Sequence, residues 1–199
     1  MFNNIKPTKG KILLESAMLF AERGYDRVSL DDIAKAVGIK KPSIFNHFTS
    51  KRDILNGLYV EYEKQRKNIL PDLGGLLEQC ETVPPLELLQ KVEYHFDPET
   101  EAVMNCVLAI AAQYMSTDMI SRDFIQRNVL SAPHEHLKPL LYKMIELGKI
   151  EPLDVEAFCS VVRDYCFASV AYIATPMRLG HDRWREGLCY LFRSCVRPT

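Results

Sequence analysis

Residues 29–48 read SLDDIAKAVGIKKPSIFNHF, and this stretch decides the fold. Ser29 and Asp32 have the S-x-x-D spacing of a capping box, which predicts a helix that begins directly after Ser29. Gly38 is expected to end that helix, and Pro42 is suited to the first turn of a second one. Two short helices joined by a glycine-containing turn are typical of a DNA-binding helix-turn-helix, although many helical pairs of this kind do not touch DNA.

Small and apolar residues predict how the two short helices cross. Ala34, Gly38 and Ile44 stand where only such side chains are expected to fit. At about 100° per residue, Ile44 and Phe48 share one face of the second helix, so both are expected in the core. The opposite face is expected to point into a DNA groove, and its residues are Pro42, Ser43, Asn46 and His47.

Outward from this stretch, apolar residues recur at helical spacing and strand patterns are nearly absent, which predicts an all-α protein of about nine to ten helices. The expected helices lie at about 8–23, 30–36, 41–47, 51–67, 84–96, 99–116, 119–130, 133–147, 153–175 and 182–196. Thr8 is expected to cap the first helix, and Pro71–Gly75 to break the chain. We expect an N-terminal domain over residues 1–52 and a larger helical domain over 53–199.

The charges are distributed unevenly along the 199 residues. The chain is 47% hydrophobic and 26% charged, as in ordinary globular proteins, and its net charge is −1. Residues 1–52 hold ten Lys/Arg against five Asp/Glu, a charge of +5, whereas the remainder holds 15 against 21, a charge of −6. A basic N-terminal domain is suited to a polyanion such as DNA, the alternative being chance clustering on a solvated face.

The chain shows no targeting or membrane signal. Its first residues contain no apolar leader, and no apolar stretch approaches the length of a membrane span. The six cysteines form no CxxC pair, which indicates reduced thiols. We therefore expect a cytoplasmic protein with no membrane partner.

A longer run of motifs, over 11–55, resembles the TetR family of bacterial transcriptional regulators and its AcrR-like repressors. The motifs are A-x-L-F-x-x-x-G-Y from Ala17, I-A-x-x-x-G from Ile33, I-F-x-H-F from Ile44 and K-x-x-I-L from Lys51. They cover about a quarter of the chain. The resemblance implies a three-helix DNA-binding head on a larger helical domain that binds a ligand and forms dimers.

The sequence departs from the family pattern at three positions. Lys40 stands where Ser often caps the recognition helix, so we expect no side-chain cap and a phosphate on the open N–H groups instead. Pro42 replaces a frequent Gly, which the first turn of a helix tolerates. Phe45 replaces the usual Tyr, so that a hydrogen bond from a hydroxyl to a phosphate is lost.

The residues expected to contact DNA divide by their chemistry. Asn46 is suited to an adenine edge and Lys41 to a guanine, whereas Ser43 discriminates bases poorly. Point charges near helix ends are better suited to phosphates, which contain no base information. The residues assigned to the DNA backbone are Lys40, His47, Lys51, Thr8 and Lys9. For each lysine the alternative is a solvated side chain, and the family resemblance supports Lys51.

The C-terminal helices are expected to form a homodimer, because one short recognition helix gives little contact area and operators are two-fold symmetric. Residues 153–175 and 184–196 are apolar around most of their circumference. The resemblance implies a four-helix interface built from the last two long helices, and the alternative is a core helix of one protomer. The expected interface residues are Phe158, Val162, Tyr165, Ala168, Tyr172, Trp184, Leu188, Leu191 and Phe192.

The middle helices are rich in Met, Tyr, Cys and His, residue types that adapt to irregular cavities. The resemblance implies that a small effector, apolar or aromatic, binds among them and releases the head from its operator. Ordinary core packing is the alternative. The expected pocket residues are Tyr94, His95, Cys106 and Tyr114.

Motifs for catalysis, cofactors and metals are absent from the sequence: it contains no P-loop, GxSxG, GxGxxG or HExxH, and His134 and His136 lie on different helix faces. We expect no enzyme and no cofactor. The leading hypothesis is a dimeric, sequence-specific DNA-binding regulator, a repressor released from a palindromic operator by a small molecule. The alternatives are a helical carrier or enzyme with a structural helix-turn-helix, and a DNA-binding protein triggered by cysteine oxidation, for which Cys195 is the candidate.

Overall fold

The computed structural model describes residues 6–69, 72–92 and 98–173, together with residues 187, 190, 192 and 193. Within these residues the regular structure is helical, as predicted. The α-helices are α1 (Pro7–Arg23), α2 (Leu30–Val37), α3 (Lys41–Ile44), α4 (Lys51–Ile69), α5 (Leu73–Gln79), α6 (Pro85–Val92), α7 (Pro98–Tyr114), α8 (Met119–Ile125), α9 (Lys138–Glu146) and α10 (Val155–Ile173). Two π-helical segments, Gln126–Leu130 and Pro133–Leu137, lie between α8 and α9.

Side-chain hydrogen bonds cap the starts of α2 and α4. Ser29 and Asp32 form the predicted capping box, with the Ser29 N–H donating to Asp32 Oδ2 at 2.8 Å and the Asp32 N–H donating to Ser29 Oγ at 3.2 Å. The N–H of Asp53 donates likewise to Ser50 Oγ, at 3.0 Å. Gly38 has a φ of +79°, and a Cβ built there would meet no atom within 4 Å. The turn therefore needs glycine for its left-handed backbone, and the predicted steric reason was wrong.

Two predicted boundaries at the N-terminal end are also corrected. The first helix begins at Pro7, one residue before Thr8, and its N-cap Lys6 makes no side-chain hydrogen bond. Because proline has no backbone N–H, it needs no hydrogen-bond partner at the start of a helix. The helix therefore begins at Pro7, and Thr8 lies inside its first turn. The recognition helix α3 ends at Ile44, and residues 45–47 form a turn.

The predicted break at Pro71–Gly75 contains the start of a helix. α5 begins at Leu73, and the side chain of Asp72 accepts a hydrogen bond from the Gly75 N–H at 2.9 Å. An aspartate N-cap stabilises a helix start by about 1 kcal/mol, which offsets the cost of a glycine in the first turn. The last predicted helix, 182–196, lies almost entirely outside the described residues.

The chain packs into two compact units. The first contains the described residues 6–68 and 98–125, in which α1 packs against α2 and α7, α2 packs against α3, and α7 packs against α8. Its largest fully buried side chains are Ile12, Leu13, Phe20, Ile33, Ile44, Ile54, Leu58, Met104 and Phe124. The functional boundary expected between residues 52 and 53 stays a prediction.

The second unit contains the described residues 69, 72–92 and 126–172, together with residues 187, 190, 192 and 193. Its core includes Leu76, Cys80, Leu88, Leu140, Leu141, Met144, Ile150, Val155, Cys159, Val162 and Phe192. Lys149 supports the turn between α5 and α6, because its ammonium donates to the carbonyl of Glu81 at 2.8 Å and to that of Val83 at 3.3 Å. None of the described helices is both long and apolar enough to cross a membrane.

Candidate nucleic-acid interface

Two buried side chains anchor α3 and the turn that follows it. Ile44 is fully buried and Phe48 is 3% exposed, which confirms the predicted inward face. The N–H groups of His47 and Phe48 both donate to the carbonyl of Ile44, at 2.9 Å. Among the residues predicted to contact DNA in this segment, the exposed ones are Lys40, Lys41, Pro42 and Asn46, and the half-buried ones are Ser43 and His47.

Lys40 and Lys41 begin α3 in different ways. Lys40 is its N-cap residue and makes no side-chain cap, as the replacement of the family's serine predicted. The Lys41 ammonium donates to Asp31 Oδ2 of α2 at 2.7 Å, and both side chains are exposed. An exposed ion pair of this kind contributes about 0–1 kcal/mol, so Lys41 can exchange Asp31 for a DNA group at little cost.

Lys51, which was predicted to contact a phosphate, is bound by backbone carbonyls of the chain itself. Its ammonium donates to the carbonyls of Tyr25 at 2.8 Å, Val28 at 2.9 Å and Asp26 at 3.4 Å. It also lies 4.4 Å from the centroid of the Tyr25 ring. An ammonium has three N–H donors, and each of them already has a carbonyl partner. Lys51 therefore ties the turn between α1 and α2 to the start of α4.

Thr8 and Lys9 lie in the first turn of α1, not ahead of the helix. Thr8 is exposed and Lys9 is half-buried. The Lys9 ammonium lies 5.1 Å from the centroid of the Phe48 ring, within the range of a cation–π contact. This contact brings a positive charge close to the end of the α3 segment, and its use for the DNA backbone stays a prediction.

Tyr114, which was predicted to line an effector pocket, contacts the turn after α1, and its place in a pocket stays a prediction. Its hydroxyl donates to Asp26 Oδ2 at 3.0 Å and accepts from the Asp26 N–H at 3.4 Å. Its ring meets the Tyr25 ring edge-to-face at a centroid distance of 5.8 Å, and Tyr25 meets Phe20 in the same way at 5.0 Å. Burial raises the pKa of the Tyr114 hydroxyl, which keeps it a neutral hydrogen-bond donor. The end of α7 is thus joined to the α1–α2 turn.

A second set of polar contacts joins α4 to the start of α8. Arg52 forms an ion pair with Asp118, and Asp118 Oδ2 accepts from the Ser121 N–H at 2.7 Å. Ser121 Oγ lies 2.8 Å from the Tyr59 hydroxyl. Burial raises the pKa of Tyr59 to about 12, and its ring stacks on Phe124 at 4.4 Å. Asp118 thus caps the start of α8, and its pairing with Arg52 was not predicted.

Asp118 is expected to make the stability of the first unit depend on acid pH. Burial opposes its charged form, but hydrogen bonds from Ser121 and Arg52 outweigh burial and hold its pKa below the ordinary 3.8. A carboxyl group whose pKa is lower in the folded state than in the unfolded state stabilises the fold. This stabilisation is complete at a pH above the unfolded-state pKa, and it is lost as the pH falls through the folded-state pKa. In urea unfolding measured between pH 2 and 6, Asp118→Asn should flatten the acid limb. An acid limb identical to that of the unmodified protein would contradict this role.

The other pocket candidates stay predictions: Tyr94 and His95 lie outside the described residues, and Cys106 is half-buried on α7. Burial raises the pKa of Cys80 and Cys159, and raises that of Cys166 to about 11. A raised pKa keeps a thiol protonated, and a protonated thiol reacts slowly with oxidants. Cys195 lies outside the described residues.

Metal ligands do not converge in the part of the chain that the structure describes: no group of three or more His, Cys, Asp or Glu side chains comes together there. His134 Nδ1 lies 3.6 Å from Glu156 Oε2, and the other oxygen of Glu156 pairs with Lys138. Because Glu156 has a lysine partner already, this group is an exposed charge network and not a ligand set.

The predicted dimer residues of α10 face in different directions. Val162 is 6% exposed and Phe192 is 1% exposed, and both belong to the core of the second unit, so their assignment to an interface is corrected. Phe158 is half-buried and meets Phe192 edge-to-face at 6.3 Å. Tyr165 is half-buried and Ala168 is exposed. The structure does not describe the side chains of the other predicted interface residues, which are Tyr172, Trp184, Leu188 and Leu191.

The outward face of α10 was missed from the sequence. Val155, Cys159 and Val162 are buried at spacings of four and three, which leaves another stripe on the solvent side. The residues of this outward face are Ala157, Val161, Asp164 and Ala168, all exposed. Strict helical periodicity identifies this face, whereas the impression of a helix apolar all round does not.

Comparison with known proteins agrees with this geometry. Residues 12–58 match the family model described as bacterial regulatory proteins, tetR family. This match covers the helix-turn-helix and less than half of the chain. The biofilm operon icaADBC HTH-type negative transcriptional regulator IcaR of Staphylococcus aureus (strain Newman) is 54% identical over 46 residues. That alignment covers 23% of this chain and 25% of IcaR, so the chain matches about a quarter of the length of this curated relative.

Solved structures resemble nearly the whole chain, and not only its helix-turn-helix segment. The ketosteroid transcriptional regulator KstR2 of Mycobacterium tuberculosis has a TM-score of 0.61 and 22% identity, with 98% of this chain and 97% of that chain covered. A transcriptional regulator from Saccharomonospora viridis, in complex with choline, has a TM-score of 0.64 and 18% identity, with 96% and 98% covered. At such identities the likeness shows the fold alone, and it confirms the predicted all-α class.

Proposed function

We propose that this protein is a dimeric, sequence-specific DNA-binding transcriptional regulator that acts as a repressor. The supporting observation is the exposed surface of α3 and the turn after it, around Pro42 and Asn46. The buried Ile44 and Phe48 hold this surface in place, within the segment that matches the tetR-family model. A helix anchored on one side and polar on the other is the element that enters the major groove in helix-turn-helix proteins.

The proposed DNA contacts divide into base and backbone contacts. Asn46 pairs with an adenine edge and Lys41 with a guanine, while Ser43 and Pro42 lie beside them on the groove side. The remaining residues, which we assign to phosphates and sugars, are Lys40, His47, Thr8 and Lys9. Lys51 is left out of this set because its ammonium is bound by the α1–α2 turn.

Release from DNA requires that an effector change the position of the head. A small apolar or aromatic molecule bound near the middle helices, with Cys106 of α7 among its neighbours, has this effect only if it favours the DNA-incompetent state. The contacts Tyr114–Asp26 and Arg52–Asp118 offer a physical connection, because each joins the α7–α8 region to the α1–α2 turn or to α4. A shift of α7 therefore changes the support of the head.

Replacing Asn46 by alanine is expected to weaken operator binding by about 1–3 kcal/mol and to relax the preference at one base pair of each half-site. The side chain is exposed, so the fold should not change. Binding of the variant to duplexes with each base pair substituted in turn measures both effects. Ser43→Ala is the matched control and should change the preference little. A uniform loss at all base pairs would contradict a base contact by Asn46.

Selection from a pool of random duplexes at two salt concentrations tests the proposed function. The full-length protein should enrich a palindromic site, and its affinity should fall steeply with salt because phosphate contacts release counterions. Recovery of no enriched sequence by the folded, dimeric protein would overturn the proposal in favour of a helical carrier or enzyme with a structural helix-turn-helix.

A further inference from the structure

Phe45 is an exposed aromatic side chain at the centre of the recognition segment. It is 51% exposed and directly follows α3, with a helical φ of −66° and ψ of −14°. An isolated exposed apolar residue is common on protein surfaces and needs no explanation. Phe45, however, lies between the buried Ile44 and the exposed Asn46, in the segment that is proposed to bind DNA. The chemistry of its ring therefore restricts which group of the DNA it can contact.

The neighbouring contacts fix the direction of the Phe45 side chain. Ile44 and Phe48 point into the core, and consecutive helical positions are separated by about 100°. Phe45 directly follows α3, and its ring is open to solvent beside the exposed Asn46. Pro42 and Phe45 are the exposed apolar residues of this segment, and Phe45 is the aromatic one.

The chemistry of the ring restricts its partner on DNA. Phenylalanine has no hydrogen-bond donor, so it cannot bond to a phosphate oxygen. The apolar group that B-DNA presents in the major groove is the C5-methyl of thymine, and phenylalanine is among the side chains that contact it. An adenine contacted by Asn46 also brings a paired thymine into the same part of the groove. The proposed adenine contact of Asn46 and a thymine contact of the Phe45 ring concern neighbouring residues and favour the same A·T-containing step.

We propose that Phe45 is a specificity-determining residue that contacts a thymine methyl group in the major groove. This inference rests on the proposed function, and it adds a determinant for thymine to a head whose other proposed base contacts are polar. Removing the methyl group returns the ring to water without removing a hydrogen bond. The expected loss is about fourfold in affinity for each methyl group, the equivalent of one buried carbon.

The test uses the palindromic duplex selected by the full-length protein. Each thymine is replaced in turn by deoxyuridine, which lacks only the methyl group. One thymine in each half-site should respond, with an affinity loss of about fourfold for one replacement and about fifteenfold when both half-sites are changed. The other thymines of the same duplex are internal controls, because their replacement should leave the affinity unchanged.

Variants assign the effect to the ring. Phe45→Ala should bind the thymine and deoxyuridine duplexes equally, so that the effects of the two changes are not additive. Met18→Ala is the matched control, since Met18 is a similarly exposed apolar residue of α1, at 49%, and it should retain full sensitivity to deoxyuridine. Circular dichroism checks that both variants fold.

The outcomes separate this inference from the function beneath it. An enriched duplex with no thymine sensitive to deoxyuridine, or with sensitivity unchanged in Phe45→Ala, overturns the contact and indicates that the ring packs on the sugar-phosphate backbone. Failure to enrich any duplex overturns the proposed function together with the inference. Sensitivity that is lost in Phe45→Ala and retained in Met18→Ala supports the contact.

Discussion

Replacing Lys51 by methionine is expected to lower the free energy of unfolding by about 2–3 kcal/mol, the range of hydrogen bonds that involve a charged group. Methionine retains most of the length of the side chain and a high helix propensity, so the start of α4 is preserved. The carbonyls of Tyr25 and Val28 lose their 2.8 and 2.9 Å partners, and the Tyr25 ring loses its cation. The α1–α2 turn should therefore loosen.

The salt dependence of DNA binding distinguishes this role from a phosphate contact. Each phosphate contact contributes about −0.9 to the slope of log affinity against log salt. Lys51→Met should leave this slope unchanged when it is measured at a temperature where the variant is folded. Urea unfolding should show the loss of stability directly.

Lys40→Met is the matched control for Lys51. Lys40 is an exposed N-cap residue without a side-chain hydrogen bond, and we assign it to a phosphate. Its replacement should change stability by no more than about 0.5 kcal/mol and reduce the salt slope by about one per head. Wild-type stability of Lys51→Met combined with a reduced slope would restore Lys51 as a phosphate ligand.

Sequence reasoning succeeded where the determinants are local. Ser29 and Asp32 satisfy each other across three residues, and Ile44 and Phe48 share a face within one turn of helix. Such contacts follow from spacing and helical geometry alone. The all-α class followed in the same way, from apolar residues at helical spacing along the chain.

Contacts between distant residues could not be predicted in this way. Lys51 is bound by carbonyls 23 to 26 residues away, and Tyr114 by Asp26, 88 residues away. Considered alone, a lysine at a helix start is compatible with a phosphate contact. A tyrosine on a middle helix is likewise compatible with an effector pocket. Their residue types do not reveal that the fold brings both to one turn.

The outward face of α10 was missed for a different reason. The sequence of this helix has few charges, and we interpreted it as apolar around most of its circumference, which mixed core residues with candidate interface residues. Val162 satisfied the apolar criterion and is buried within the protomer, whereas Val161 satisfies it equally and is 53% exposed. Periodicity separates these two adjacent valines, and composition does not.

Replacing Val161 by glutamate is expected to dissociate the proposed homodimer. Val161 lies in the middle of the outward face of α10, between the small exposed residues Ala157 and Ala168. Small side chains allow two helices to approach closely. Around a two-fold axis, the substitution places two carboxylates in one interface, where burial of unpaired like charges costs several kcal/mol. We expect the dissociation constant of the dimer to rise by at least about 100-fold.

Sedimentation velocity over a range of concentrations measures this dissociation, and duplex binding measures its consequence. A monomer engages one half-site at a time, so affinity for the palindrome should fall together with the dimer population. The matched control is Val60→Glu on α4, because Val60 is a valine with 64% exposure in the other unit. This control should remain a dimer and retain binding to the palindrome.

The two valine substitutions also distinguish a dimer interface on α10 from one on α4. If Val161→Glu remains dimeric while Val60→Glu dissociates, the outward face of α10 is not the interface and a surface of α4 replaces it. If both variants remain dimeric, neither face forms the interface. Dissociation of Val161→Glu alone, with urea unfolding unchanged, would show that the residues buried within α10 stabilise the protomer and that its exposed residues join two copies, a division that follows from the three- and four-residue spacing of its core.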